Sequence, residues 1–594
     1  MTGAVTEHPE AGRTGAAGPA PDTTPAPERT PAPDRTPTPH GGTASDETAG
    51  RAPSVLRSGA LMAAGSLVSR ATGFIRSAIV AAAIGTGFVA DGYAVGNSVP
   101  TIVYMLLLGG ALNAVFVPEL VKAAKEHEDG GVAYTDRLLT VCLIALAALT
   151  AAAVLAAPAI VDAYTDYTGA QRDMTIAFTR SCLPQIFFLG MFTLLGQVLN
   201  ARGRFGAMMW TPVLNNVVVV AVFGLFLGLY GTARVSGDGT LTAGQTALLG
   251  WGTTAGIALQ AVALAPSLRA ARFRWRPRFD WRGSGLTAPL RAAGWLVLLV
   301  LTNQGAYWVT TKVATAAGQR AEGAGLSAYN NAYQLWMVPH GIITVALVTA
   351  LMPRMSGAAA DGDLAAVRGD VAGAQRTSAA AVVPAACALF GLAVPIMGVV
   401  YQYGRTDADA VRSMAWILMA LAPGLVALSG QYVCTRAFYA LRDTRTPFLL
   451  NLVIAGLNAA LAVAAHACLP ARWTVAGMAA GYTLALWAGW GLTAYVLARR
   501  LRGTDGAAEG TGAFAALVRM LVAALPAGGL ALVTAELTAP AGRVVAGLAG
   551  MAVIVAVFAL LARPLGLTEV RRLMTGLTAR VPGPGRKRRR AHRN

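Results

Sequence analysis

Between residues 56 and 563 the chain returns repeatedly to mostly apolar stretches of about 18 or more residues, each long enough to cross a hydrocarbon core of about 30 Å. Fourteen can be delimited: 56–84, 92–121, 135–163, 173–201, 206–230, 244–265, 289–315, 325–352, 377–402, 410–438, 446–468, 473–498, 514–537 and 541–563. The expected fold is an all-α polytopic membrane protein with about 14 transmembrane helices. Charge agrees, because only 13% of residues are Asp, Glu, Lys or Arg, about half the share of a soluble domain.

The net charge of +19 invites a nucleic-acid reading. A polytopic protein, however, collects Arg and Lys on its cytoplasmic loops, and no nucleic-acid partner is expected. Residues 266 to 291 hold Arg269, Arg272, Arg274, Arg276, Arg278, Arg282 and Arg291, whereas opposite loops such as "GTGFVADG" hold at most about one. The basic loop is therefore placed in the cytoplasm. An even span count then puts both termini there too, in a multi-pass protein of the cell membrane. Residues 1–54, with "TPAPERTPAPDRTPTP", have almost no large apolar side chains and are expected to be a disordered Pro/Thr-rich cytoplasmic tail. The basic "GPGRKRRRAHRN" within 566–594 reads as a second cytoplasmic tail, resting on anionic membrane lipids.

One fixed offset of 235 residues aligns Ala111, Leu112 and Pro118 with Ala346, Leu347 and Pro353, and Thr211, Pro212 and Asn216 with Thr446, Pro447 and Asn451. Spans 1–6 and 7–12 thus read as duplicates in the same orientation, an arrangement used by alternating-access transporters whose site lies between the halves. The expected domains are a six-helix bundle over 55–265, a basic linker over 266–288, a second six-helix bundle over 289–500 and two extra helices over 510–565.

Polar groups inside the spans are costly and mark function. Arg70 lies roughly 17 Å into span 1 and Arg76 about 9 Å further. Ser69, Thr72 and Arg76 share a face expected to line a cavity. Arg76 has two readings, a cavity cation or a staple to Asp91, while Arg70 has no obvious acidic partner. Lys312 either faces the cavity or snorkels outward, and Arg436 is expected to snorkel. His340, after Pro339, reads as a satisfied buried histidine or one that titrates toward the cavity. A cationic cavity with few carboxylates points to an anionic cargo, one large enough to suggest a lipid-linked headgroup.

Three segments carry a resemblance. "SRATGFIRSAIVAAAIGTGFVADGYAVGNSVPTIVYMLLLGGALNAVFVPEL" resembles the first two helices of the MurJ (MviN) lipid II flippase family, "YNNAYQLWMVPHGIITVALVTALMPRMS" its eighth helix, and "FYALRDTRTPFLLN" its connection between helices ten and eleven. That family lies within the multidrug/oligosaccharidyl-lipid/polysaccharide exporter superfamily. The resemblance implies a transporter, not an enzyme, that moves lipid II, an undecaprenyl-pyrophosphate-linked peptidoglycan precursor, from the inner to the outer leaflet. It also implies that the two extra helices form a groove for the lipid tail. Arg70, Arg76 and Asp91 match charged family positions. The sequence departs from the Gram-negative pattern where an acidic residue is Ser77, an arginine pair is Tyr104 and Met105, and an arginine of helix eight is Gln334, and it resembles the actinobacterial branch. The expected substrate-binding set is Arg70, Arg76, Asp91, Lys312 and Gln334, with Gly73, Ser77, Asn330 and His340 in the cavity or gate. No catalytic residue, metal or cofactor is expected. Alternatives are a flippase for another polyprenyl-pyrophosphate-linked oligosaccharide and a membrane enzyme; a scaffold role, with the N-terminal tail docking cell-wall synthesis proteins, is compatible with transport.

Overall fold

The computed structural model describes residues 51–107, 129, 131–204, 206–231, 239–280, 294–321, 323–501 and 508–570. Residues 1–50 of the expected N-terminal tail lie outside them, whereas 51–54 open the first helix; most of the C-terminal tail lies outside them too. By internal contacts the chain divides into Met1–Arg57 and Ser58–Asn594, and the architecture below is that of the larger unit.

The first helical set comprises α1 (Arg51–Ile84), α2 (Phe88–Leu107), α3 (Val132–Leu155), α4 (Ala157–Tyr164), α5 (Gly169–Cys182), α6 (Gln185–Ala201), α7 (Gly206–Tyr230), α8 (Ala243–Val262) and the short α9 (Ala265–Ala270). The second runs through α10 (Gly294–Arg320), α11 (Leu326–Pro339), a π-helical turn at His340–Thr344, α12 (Val345–Ala360), α13 (Leu364–Gly391), α14 (Ala393–Tyr401), α15 (Ala408–Leu421), α16 (Gly424–Ala440), α17 (Arg445–Cys468) and α18 (Ala471–Arg500). Two more helices follow, α19 (Ala508–Thr538) and α20 (Arg543–Leu561).

Among the described residues nine helical segments are long and apolar enough to cross a membrane, or eleven if the pairs α13/α14, bent by 76°, and α15/α16, bent by 44°, each count as one. The expected fourteen is not reached on this measure. Three expected spans carry the helices α2, α10 and α18, which are long but diluted by polar residues such as Asp91 and Asn97, Asn303 and Gln304, and Arg472. Residues 108–121 of the second expected span lie outside the described residues.

Two devices recur in both helical sets, the first 239 residues apart and the second at the 235-residue offset found in the sequence. The turn after α6 places Gly203 at φ 71° and the turn after α16 places Arg442 at φ 58°. Each is closed by the next amide donating five residues back, Arg204 to Leu199 and Asp443 to Phe438, both at 2.9 Å, the left-handed helix ending that usually selects glycine. The paired asparagines also act alike. Asn216 of α7 donates to the Ser69 carbonyl and the Thr72 hydroxyl of α1, both at 3.0 Å, and Asn451 of α17 donates to the Asn303 side chain of α10 at 3.0 Å.

The last helix pair docks by small residues. Ala523, Ala527, Ala531 and Ala535 recur at every fourth position of α19, all buried, so its backbone can approach α13 closely. A Cβ at Gly391 would stand 2.7 Å from the Gly528 carbonyl oxygen. The opposite face exposes Leu525 and Leu537 at 79% and 76%, as a surface in contact with acyl chains requires.

Candidate functional site

The two helical sets meet where α1 runs antiparallel to α11. Near one end, Ser327 donates its backbone N–H to Asp91 Oδ1 at 2.7 Å and its hydroxyl to the Thr86 carbonyl at 3.0 Å. Arg405 N–H donates to the Ala82 carbonyl at 2.9 Å, and the Thr406 hydroxyl to the Ala81 carbonyl at 2.9 Å. Lys312 Nζ reaches Asp166 at 2.8 Å, and Trp308 Nε1 donates to the Ala163 carbonyl at 2.9 Å. These contacts tie the loops at one end of the molecule. The basic segment 271–280 lies at the other end, because successive helices alternate between the two.

Further along the same seam the expected residues converge. The Ser77 hydroxyl donates to Gln334 Oε1 at 2.7 Å. About 10 Å deeper, two turns along α1, the Arg70 guanidinium lies against the π-helical turn that follows Pro339. A Cβ on Gly341 would stand 2.6 Å from Arg70 Nη1 and 2.9 Å from Nη2, so glycine there leaves room for the guanidinium. The turn owes its shape to Pro339, which lacks the amide proton that regular α-helix would use. Arg70 is exposed and Arg76 half-buried. Among the described residues neither forms an ion pair with a carboxylate. Asn330 is half-buried one turn before Gln334 on the same helix face.

Other expected residues are placed differently. Asp91 is 2% exposed, and its carboxylate meets the first turn of α11 through Ser327, so it clasps the two sets at the joint and does not staple Arg76. A helix N-terminus favours such an anion. Lys312 is engaged with Asp166 at the tied end, away from the Arg70 region. Gly73 lies beside Asn216, where a Cβ would make an ordinary 3.6 Å contact with the amide nitrogen. The Ser69/Thr72 stripe expected to line a cavity is thus occupied by α7, and of that face only Arg76 stays unclaimed. His340 is buried, with Nδ1 3.1 Å from the Ser429 hydroxyl and its ring edge-on to Tyr432 at 5.2 Å, which is the satisfied-histidine alternative in its local geometry. Arg436 stacks 4.8 Å over Tyr432 and donates to its hydroxyl at 2.9 Å, anchored on a ring instead of reaching for solvent. Of Tyr104 nothing is described, while Met105 Sδ accepts from Gln304 Nε2 at 3.7 Å.

Sequence reading missed Gly341. Its only signal was its place two residues after Pro339, where a kink was expected. The resulting arrangement sets the Arg70 guanidinium and the Gln334 and Asn330 amides at the seam between the helical sets, with the half-buried Arg76 on the adjoining face of α1. A guanidinium offers a planar fork of donors that matches phosphate oxygens two at a time, so the seam is chemically suited to a phosphorylated group. Among the described residues no cluster of His, Cys, Asp and Glu could hold a metal ion.

A family model described as lipid II flippase MurJ matches residues 80–552. The probable lipid II flippase MurJ of Rhizobium meliloti (strain 1021) is 27% identical over 420 residues, 69% of this chain and 75% of the relative. The lipid II flippase MurJ of Burkholderia cenocepacia is 28% identical over 389 residues, 64% and 72% of the two chains. Among solved structures, a lipid II flippase MurJ in an inward closed conformation superposes with a TM-score of 0.67 at 16% identity, covering 85% of this chain and 99% of that one. A multidrug resistance MATE family transporter of the MOP superfamily, inward-facing, gives 0.57 at 14% identity, over 73% and 96%. At these identities the structural likeness is one of fold.

Proposed function

This chain belongs to the MurJ family of lipid II flippases, and from that premise we propose that it carries the undecaprenyl-pyrophosphate-linked peptidoglycan precursor from the inner to the outer leaflet by alternating access. The observation that carries the reading is Arg70, seated on Gly341 between the two helical sets, with Arg76 half-buried on the same helix and neither in an ion pair with a carboxylate among the described residues. A cation that deep in a membrane protein is tolerated where it faces water, a partner or a ligand. Here the two guanidiniums clamp the pyrophosphate, and Gln334 and Asn330 supply uncharged hydrogen bonds beside it. Asp91 and Lys312 contribute by holding the far end of the seam shut, not by touching the cargo.

The basic end is cytoplasmic, with both termini on that side, which is supported by the concentration of arginine in 266–291. The tied end is then the outer gate. The headgroup enters from the inner leaflet with the outer gate closed. Rocking of the halves breaks the Asp91–Ser327 and Lys312–Asp166 contacts and opens the seam outward. The outward-facing leucines of α19 and α20 accompany the polyprenyl tail along the membrane. The N-terminal tail is a docking arm for cell-wall synthesis proteins.

Complementation tests this cargo against another polyprenyl-pyrophosphate-linked oligosaccharide. In a strain depleted of its own lipid II flippase, the wild-type chain restores growth, and Arg70→Ala and Arg76→Ala at matched expression do not. No rescue by a well-expressed wild-type chain would count against lipid II as the cargo.

A further inference from the structure

The segment that leaves the first helical set is strapped to it along residues 271–280. Asp136 and Thr140 lie one turn apart on α3, about 6 Å along its axis. They accept the backbone N–H groups of Arg276, at 3.2 Å, and Arg278, at 3.1 Å. Two residues cover that distance only when the chain is nearly extended. The ends are fixed as well. Phe273 is buried beneath the Arg202 guanidinium, 5.0 Å above its ring, and Arg202 donates to the Ala271 carbonyl at 3.0 Å. Asp280 accepts from Arg137 Nε at 2.8 Å, and that hydrogen bond holds its carboxyl below the usual range. Trp275 Nε1 donates to the Thr140 hydroxyl at 3.3 Å.

So anchored, the strap exposes Arg272, Arg274 and Arg276. Trp275 and Phe279 stand 43% and 68% exposed among them. Among the described residues the nearby acids are engaged: Asp280 is paired with Arg137, Asp129 accepts the Gly131 and Ala133 N–H groups, and Asp136 is 1% exposed beneath the segment. Six hydrogen-bonding, ionic and ring contacts are more than a plain connector needs.

From this geometry we infer that the strap 271–280 is a binding site for the phosphate headgroups of anionic phospholipids in the leaflet nearest it. Guanidiniums meet lipid phosphates, and indole and phenyl rings settle at the boundary between headgroups and acyl chains. The strap lies along the first turns of a membrane-crossing helix, at the level of that boundary. Exposed aromatics at this level favour a lipid over an acidic protein or a nucleic acid. Because the strap is already ordered by α3, little conformational freedom is lost on binding. The site is independent of which cargo the seam carries.

Native mass spectrometry of the purified full-length chain, titrated with phosphatidylglycerol or phosphatidylcholine, tests the site. The wild type is expected to prefer phosphatidylglycerol, with binding that weakens as salt rises. The variant Arg272→Gln/Arg274→Gln/Arg276→Gln is expected to lose about tenfold in phosphatidylglycerol affinity with phosphatidylcholine unchanged. Thr140→Val keeps every charge but removes an anchor, and is expected to lose severalfold. Equal affinity of the wild type for both lipids, salt-insensitive binding, or unchanged phosphatidylglycerol affinity in both variants overturns the proposal. So does a wild-type preference for an oligonucleotide over phosphatidylglycerol. If the triple variant fails to fold, Arg274→Gln alone, which leaves every anchor of the strap in place and the basic C-terminal tail intact, is expected to lose severalfold in phosphatidylglycerol affinity, and an unchanged affinity overturns the proposal.

Discussion

Gly341 is the residue on which the position of Arg70 turns. A methyl group there meets the far end of a flexible side chain, so the fold can absorb it while the guanidinium is displaced. Gly341→Ala should therefore slow lipid II translocation by roughly three- to tenfold, about 1 kcal/mol of lost positioning, with the melting temperature nearly unchanged. Proteoliposome flipping and thermal unfolding, measured side by side, check this. A second residue-scale prediction concerns Ser77 and Gln334, which depart from the Gram-negative pattern separately in sequence yet touch at 2.7 Å in space. The two departures compensate: where that pattern has an acid and an arginine, this chain has a hydroxyl and an amide. Ser77→Asp alone leaves a carboxylate at a site 8% exposed without a cationic partner. Adding Gln334→Arg should recover part of the lost stability, with a coupling of about 0.5–3 kcal/mol in a double-mutant cycle; strictly additive effects would contradict the pairing.

Among the elements, α19 is the one whose docking depends most plainly on small residues. Gly391→Ala drives a methyl group against the Gly528 carbonyl at 2.7 Å, where backbone cannot swing aside, and should cost about 1–3 kcal/mol. Gly529→Ala, with nothing within 4 Å of the added carbon, should be neutral. Unfolding midpoints in one detergent compare the two. This scale also separates what the sequence disclosed from what it hid. The long apolar stretches disclosed the helices, and the recurrence at 235 residues disclosed the matching roles of Asn216 and Asn451. The expected cavity stripe at Ser69 and Thr72 failed because helical periodicity identifies a polar face but not what covers it, and here α7 does. Asp91 was misplaced for a related reason. A carboxylate at the outer end of the second span suggests an ion pair with Arg76 of the first, whereas its partner is a helix N-terminus 236 residues away, invisible to local spacing.

At the scale of the whole molecule, alternating access requires the tied end to open in every cycle. Gly85 and Arg405 face each other there, a Cβ built on Gly85 lying 3.5 Å from Arg405 Cβ, close enough for a disulfide. In a background lacking the five native cysteines, Gly85→Cys/Arg405→Cys should stop transport when oxidised and regain it on reduction. The positive φ at Gly85 adds about 1–2 kcal/mol of strain in both redox states, so the reduced variant is the proper reference. The central claim, a cationic clamp between two rocking halves, is tested most directly by reconstitution with labelled lipid II at matched protein density. The account predicts that wild-type proteoliposomes move the label to the opposite leaflet and that Arg70→Ala and Arg76→Ala each slow it by about tenfold or more. Wild-type rates in both variants would contradict it.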